Sequence, residues 1–398
     1  MFRAGFATLA ASVHPLKSQP TSAEAVPEAA ATITTEARVE VSTPIGKPVV
    51  PSSPLKEALL PAVPPAAQEL RKRTVMYIMR NDEQPEGQGA RVRRSIGSRD
   101  FDHFDPILLL DHFTVQAPAG FPDHMHRGFE TVTFVLPESG NTVNHEDFAG
   151  HSGEIGPGDV QWMTAGRGIV HAEMPGKGNK PAIGIQMWVN LAAKNKMIPP
   201  RYQERLAKEI PTVVDSKQGV SAYIIAGTAL GVSCPIQTLT PTHYIYFQMQ
   251  PGAVLHHMVP NHWNAFIYSL GGNIQVLGRP KEKGAVPPPI EVAPFHTVFF
   301  DRSETKPAGT SPIDAGSECA NPKDCDVIVV EAGSNSDGQV SSFILVAAEP
   351  LHEPVARHGP VVMNTREELY QAFNDYRNYR NGFERARGFE SKIVNGVY

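Results

Sequence analysis

FPDHMHRGFETVTF, residues 121–134, and QWMTAGRGIVHAEMP, residues 161–175, bound the stretch that decides the fold. The first holds His124 and His126, the second His171 and Glu173, and each pair is spaced i, i+2. Alternate side chains of a β-strand point to one face, so each pair is expected to send both its groups the same way. Two such strands side by side, with that face turned inward, would bring three imidazoles and a carboxylate to one point. Convergent donors of that kind make a metal site. The 44 residues between His126 and His171 have room for several short strands. They carry turn signals at Pro137-Glu138-Ser139-Gly140 and at Gly156-Pro157-Gly158-Asp159. A small barrel returns distant strands to one another in this way.

No cysteine lies near these residues, which disfavours a structural four-cysteine zinc site. Three imidazoles and a carboxylate suit Fe, Mn, Ni, Cu or Zn. On a six-coordinate ion four protein donors leave two positions open, as oxygen activation or bidentate substrate binding requires. Glu130 competes for the carboxylate role. It lies four residues after His126, an even offset that turns it inward on a continuous strand. There it would be a further ligand, a partner of a ligand or a proton acceptor. Position alone does not rank it against Glu173. The competing reading makes all these histidines ordinary hydrogen-bonded core or surface residues. His145 and His151, in NHEDFAGHSGE, are expected in a loop; Gln161, Met163 and Met187 either line the pocket or fill strand cores.

Of 398 residues, 36 are Pro and 33 Gly, a density that suits many short strands better than long helices. Hydrophobic residues make up 41%, enough for a sizeable core, and the length allows two domains and a tail. A formal charge of −5 leaves no basic footprint for direct nucleic-acid binding. Arg71-Lys72-Arg73 and Arg91-Val92-Arg93-Arg94 are short runs of the kind found on solvated surfaces. No apolar run approaches ~18 residues, so no membrane span is expected. Three cysteines, Cys234, Cys319 and Cys325, are too few for a disulfide framework and point to a reducing compartment. Cys319 and Cys325 are expected as free thiols in a surface loop, a local disulfide being the alternative.

Residues 1–72 are rich in Ala, Pro, Ser, Thr and Val and are expected to form a disordered tail, which buries too little surface to offset its ordering entropy. The first 23 residues hold no Asp or Glu, so MFRAGFATLAASVHPLKS suits an organelle transit peptide as well as a flexible, acid-poor tail. Order is expected from Thr74 onward, with a first barrel over residues 73–192. Residues 193–212 are expected to be a linker with a short helix after Pro199-Pro200. Strand rhythm then resumes over 213–398. There VLHHMVPNHWNAFIYSLGG echoes PDHMHRGFETVTFVLPESG, a weak internal repeat that implies a second barrel of the same plan. The copy lacks the chemistry. His256 and His257 are adjacent and face opposite ways on a strand, and His296 is followed two residues on by Val298. With His262 they are expected to be solvated or structural. Residues 303–326 form a polar insertion. In NTREELYQAFNDYRNYRNG, Asn364 and Glu367 have capping spacing, Leu369, Phe373 and Tyr376 share a helical face, and Gly382 is a stop. This helix is expected to pack back on a barrel.

FPDHMHRGFETVTF and HEDFAGHSGEIGPGDVQWMTAGRGIVHAEMP closely resemble the pirin family of the cupin superfamily. The resemblance continues through KMIPPRYQ, AAEPLHEPVARHGPVVMNTREELYQAF and NGFERAR, and covers residues 74–395. It implies an all-β bicupin, two cupin-type β-barrels with a C-terminal helix and metal only in the N-terminal barrel. It implies iron, Fe(2+), on His124, His126, His171 and Glu173. The general cupin pattern would use Glu130, which is not the usual ligand in pirins. A longer turn at Pro137 to Val143, the 303–326 insertion and the N-terminal tail depart from the family pattern without touching these ligands.

The resemblance further implies two functions. One is an oxidoreductase of quercetin 2,3-dioxygenase type, in which a flavonol-like aromatic polyol is deprotonated by Glu173 or Glu130, binds the metal and reacts with O2. The other is a redox-sensitive iron-binding transcriptional cofactor that joins transcription-factor proteins; the net acidity fits a protein partner better than DNA. A cupin isomerase or sugar-binding protein is a third. Site chemistry favours the dioxygenase. The chain is expected to be a monomer of the cytoplasm or nucleus, or of mitochondria or another organelle where the tail directs it.

Overall fold

The computed structural model describes residues 56–57, 70–87, 89–279, 287–303, 322–334 and 338–394. Nearly all of the expected tail and transit peptide, and most of the polar insertion, lie outside the described residues. The first half runs through β1 (Val75–Arg80), β2 (Ala90–Ile96), β3 (Ile107–Val115), β4 (Phe121–His126), β5 (Phe129–Val135) and β6 (Val143–Asp147). It continues with β7 (Ser152–Ile155), β8 (Val160–Thr164), β9 (Ile169–Pro175), β10 (Ala182–Asn190) and β11 (Arg201–Arg205). The second half runs through β12 (Val220–Ala226), β13 (Thr242–Met249), β14 (Val254–Pro260), β15 (Asn264–Gly271) and β16 (Ile274–Val276). β17 (Ile290–Val292), β18 (His296–Phe300), β19 (Cys325–Ala332), β20 (Ser341–Ala348) and α1 (Arg366–Arg377) complete it.

The first barrel sets a sheet ordered β11-β8-β5-β10-β3-β2 against one ordered β7-β6-β9-β4. The second repeats the plan, β1-β18-β15-β20-β13-β12 against β17-β16-β19-β14. The all-β, two-barrel expectation therefore holds, and the repeat extends through both sheets. Every residue of β5 is buried. One face of the strand looks into its own barrel. The other packs on the second barrel, where Phe134 meets Tyr246 with ring centroids 5.8 Å apart. Val132, Phe134, Trp162 and Met187 share one core with Ile224 and Tyr244. Coverage on both faces is why no residue of FETVTFV is exposed, and its polar members Glu130 and Thr133 find buried hydrogen-bond partners.

The exchange of chain ends was not visible in the sequence boundaries. β1, within the expected first barrel of 73–192, pairs with β18 of the second. Conversely α1 and its neighbours, within the expected second barrel of 213–398, pack on the first. Met125 and Val170 join Val361, Met363, Ala372 and Phe383 in one apolar cluster. Each barrel is thus completed by a segment from the opposite end of the chain. The expected linker is part strand, part helix: Arg201–Arg205 pairs with all five residues of β8, and the short helix after Pro199-Pro200 is a single 3-10 turn, Ala207–Glu209. Ladder hydrogen bonds to an open sheet edge hold RYQER extended and delay the helical turn to Ala207.

The terminal helix is capped one residue later than expected. Thr365 accepts from the Glu368 amide, and the Glu368 carboxylate returns to Thr365 N at 2.9 Å. Asn364 instead donates to Glu353, at 3.0 Å. The helix ends at Arg377, before Gly382. Leu369, Phe373 and Tyr376 do share the packed face. Cys325 is disulfide-bonded, against the expectation of free thiols, while Cys234 is free and buried. Among the described residues no helix is long and apolar enough to cross a membrane.

Candidate metal centre

β4 and β9 run antiparallel with His171 opposite His124 and Ile169 opposite His126. The three imidazole rings close on one another, with centroids 4.4 to 4.9 Å apart. One nitrogen from each lies within 4.8 Å of the others. His124 Nδ1 faces Pro122 O at 2.8 Å, and as donor there it leaves the Nε2 lone pair toward His171 Nε2, 3.0 Å away. Burial, reinforced by the neighbouring His124, holds His126 and His171 well below the usual imidazole range. Both are therefore neutral, the form that binds a metal. Neither nitrogen of His126 has a partner of hydrogen-bonding geometry, although the Pro360 carbonyl lies near, and His171 Nδ1 has none. Buried nitrogens are seldom left so. A divalent transition ion fits the donor set and would give one nitrogen of each ring a partner. Phe129 and Trp188 flank His126 at 5.2 and 5.4 Å between centroids and keep that side apolar.

Glu173 stands beside this group rather than in it. Along β6 it is in register with His145, as His171 is with Asp147, so both face the barrel interior. On the β4 side the ladder slips, and Glu173 lies opposite Phe121 across a bulge. Gln186 Nε2 is 3.3 Å from Oε2, and Thr133 Oγ1 is 3.0 Å from Oε1. Thr133 Oγ1 also lies 2.9 Å from Gln186 Oε1. Its single proton can serve only one of the two at a time.

Glu130 does not face the histidines, and its expected role as ligand or proton acceptor fails. The even offset from His126 presupposed a continuous strand. Gly128, at φ +91°, breaks it where an added Cβ would collide with Val362 O. Alternation restarts at Phe129. Phe129 and Thr133 reach His126 and Glu173, whereas Glu130 shares its face with Val132 and Phe134, toward the second barrel. Thr164 donates to Glu130 Oε1 at 2.6 Å. Burial pushes the carboxyl up to about 7, Thr164 and Trp162 holding it from rising further. The native state thus takes up a proton that the unfolded chain, at 4.5, releases. Stability from this group is complete below 4.5 and falls as pH rises to about 7. Glu130→Gln should remove the trend, gaining up to ~3 kcal/mol on wild type between pH 5 and 8. Urea unfolding at both values checks this; an equal difference at the two would refute it.

Thr133, Gln186 and Trp188 escaped the sequence reading. Thr133 is recoverable once Gly128 is taken as a break; the other two need the β5–β10 register, where Gln186 pairs with Thr133 and Trp188 with Thr131. His145, expected in a loop, sits buried on β6. Gln161 donates to Glu204 at 2.7 Å, and Met163 and Met187 are buried in cores. Among the described residues, both groups of three metal-type donors lie in the first barrel. In the second, His257 is buried against His243, and His256 points the other way, as its adjacency implied.

Two sheet-on-sheet barrels, with convergent imidazoles on paired strands of the first, define a two-barrel cupin of the metal-binding kind. Family models described as Pirin and as Pirin C-terminal cupin domain match residues 89–189 and 310–382. The sequence is 45% identical to pirin of Homo sapiens over 313 residues, 79% of this chain and 95% of that protein. It is 43% identical to a pirin-like protein of Solanum lycopersicum over 326 residues, 81% of this chain and 97% of the relative. The fold is similar to a solved quercetin 2,3-dioxygenase from Acinetobacter baumannii, with a TM-score of 0.63 and 25% identity over 78% of this chain and 99% of that one. The chain belongs to the pirin family.

Proposed function

We propose that the chain is an iron-dependent dioxygenase of quercetin 2,3-dioxygenase type, acting on a flavonol-like substrate with O2. The observation that carries this reading is the placing of Glu173 and its two partners beside three convergent imidazoles. His124, His126 and His171 would hold the ion, with Glu173 as the further donor and proton acceptor. Fe(II) held there would supply Lewis acidity toward a substrate oxygen and a redox-active centre for dioxygen. Glu173 takes the hydroxyl proton of the flavonol at a carboxylate oxygen. Once protonated, it can donate to Thr133 Oγ1, while Thr133 turns its own proton to Gln186 Oε1, 2.9 Å away. Both charge states of Glu173 therefore find a hydrogen bond without backbone movement. Phe129 and Trp188 offer an aromatic wall to a planar ligand and exclude water from one side of His126. Likeness to the Acinetobacter quercetin 2,3-dioxygenase supports the substrate class.

The test is oxygen uptake with quercetin by the Fe(II)-loaded protein. Wild type should consume O2, and His124→Ala/His126→Ala should not. Equal uptake by the two proteins removes the enzyme reading.

A further inference from the structure

We propose that His145, His151 and Glu204 form a second site for a divalent transition ion, beside the three-histidine centre. The three donors come from β6, from the turn before β7 and from β11. One donor atom from each lies within 4.8 Å of the other two. Glu204 Oε1 is 2.9 Å from His145 Nε2 and 3.7 Å from His151 Nε2. Metal bonds of about 2.0–2.2 Å give edges between neighbouring donors of about 3 Å at right angles and about 3.5 Å at the tetrahedral angle. The observed separations lie close to that range. His145 is only 3% exposed, and its Nε2, 2.9 Å from Glu204 Oε1, meets no acceptor in strict hydrogen-bond geometry.

The donors are held in place before any ion arrives. Gln161 Nε2 donates to Glu204 Oε1 at 2.7 Å and fixes the carboxylate. Tyr202 stacks on the His151 ring at 4.1 Å and 13°. Asp147 accepts the His151 amide at 2.9 Å and sets the turn. Gly153 leaves the approach to His145 open, since a Cβ there would lie 2.7 Å from its Nε2. Two imidazoles and one carboxylate suit Zn2+, and also Co2+, Ni2+ or Cu2+. His151 and Glu204 are partly exposed, so water can fill the remaining positions. This site stands whether or not the dioxygenase reading does.

The experiment uses the full untagged chain, stripped with chelator and dialysed against Zn2+, with metal counted by mass spectrometry. Wild type should retain two equivalents. His151→Ala/Glu204→Gln should retain one, and so should His124→Ala/His126→Ala. Gly153→Ala, which alters none of the donors, should weaken the second equivalent at least tenfold, and it covers the case in which the double variant misfolds. Co2+ absorption would show one of two ligand-field spectra disappearing in each double variant. The proposal is overturned when folded His151→Ala/Glu204→Gln or folded Gly153→Ala retains as much Zn2+ as wild type.

Discussion

Asp375→Ala should destabilise the protein by about 3–5 kcal/mol and reduce metal uptake at a centre the residue does not touch. Asp375 lies on α1 with its side chain fully buried, and Arg127, on the turn directly after His126, is 2% exposed. Arg127 Nη1 donates to Asp375 Oδ2 at 2.9 Å. Its Nε and Nη2 donate to the carbonyls of Arg167 and Asn381 at 2.6 and 2.7 Å, and its guanidinium lies 4.6 Å from the Phe383 ring centroid. Removing the carboxylate leaves a guanidinium buried among neutral acceptors, which is far costlier than losing the pair. Arg127→Met/Asp375→Leu, which deletes both charges, should therefore cost much less than the sum of the single replacements. Urea unfolding of the four proteins makes the comparison. A loss below about 1 kcal/mol for Asp375→Ala would show that the pair does not hold α1 to the first barrel.

Glu173→Gln should lower flavonol turnover by about 10²–10⁴-fold when rates are normalised to bound metal. The amide keeps the shape of the side chain and can still meet Thr133 and Gln186, so the fold should survive. What disappears is a group able to take a proton from the substrate. Normalising separates that loss from any loss of metal, since Glu173 is proposed for both roles. Thr133→Val should give a smaller fall, because the carboxylate remains but its proton has no onward acceptor. Turnover within about threefold of wild type in Glu173→Gln would remove this residue from the proton step.

Much of the site is legible because strand alternation is a local property. His124, His126 and His171 are placed by i, i+2 spacing, and the structure turns all three to one point. The same rule misplaces Glu130, since a single positive-φ residue, Gly128, resets the alternation between β4 and β5. His145 is misread for a different reason: its Asp, Glu and Gly neighbours resemble a loop in composition, while pairing to β9 makes the segment a strand.

Composition, turn spacing and the repeated histidine-strand-glycine rhythm by themselves determine an all-β chain of two similar barrels, with metal chemistry in the first. Such features depend on neighbours a few residues apart, whose geometry the backbone dictates. Only the tertiary structure decides that β1 completes the far barrel and that α1 returns to the near one. It alone brings Arg127 to Asp375, 248 positions away, and Glu204 to His145. Those contacts depend on which sheet edge is open and which buried charge lacks a partner. Both are properties of the folded surface, and neither has a periodicity that a linear reading can detect.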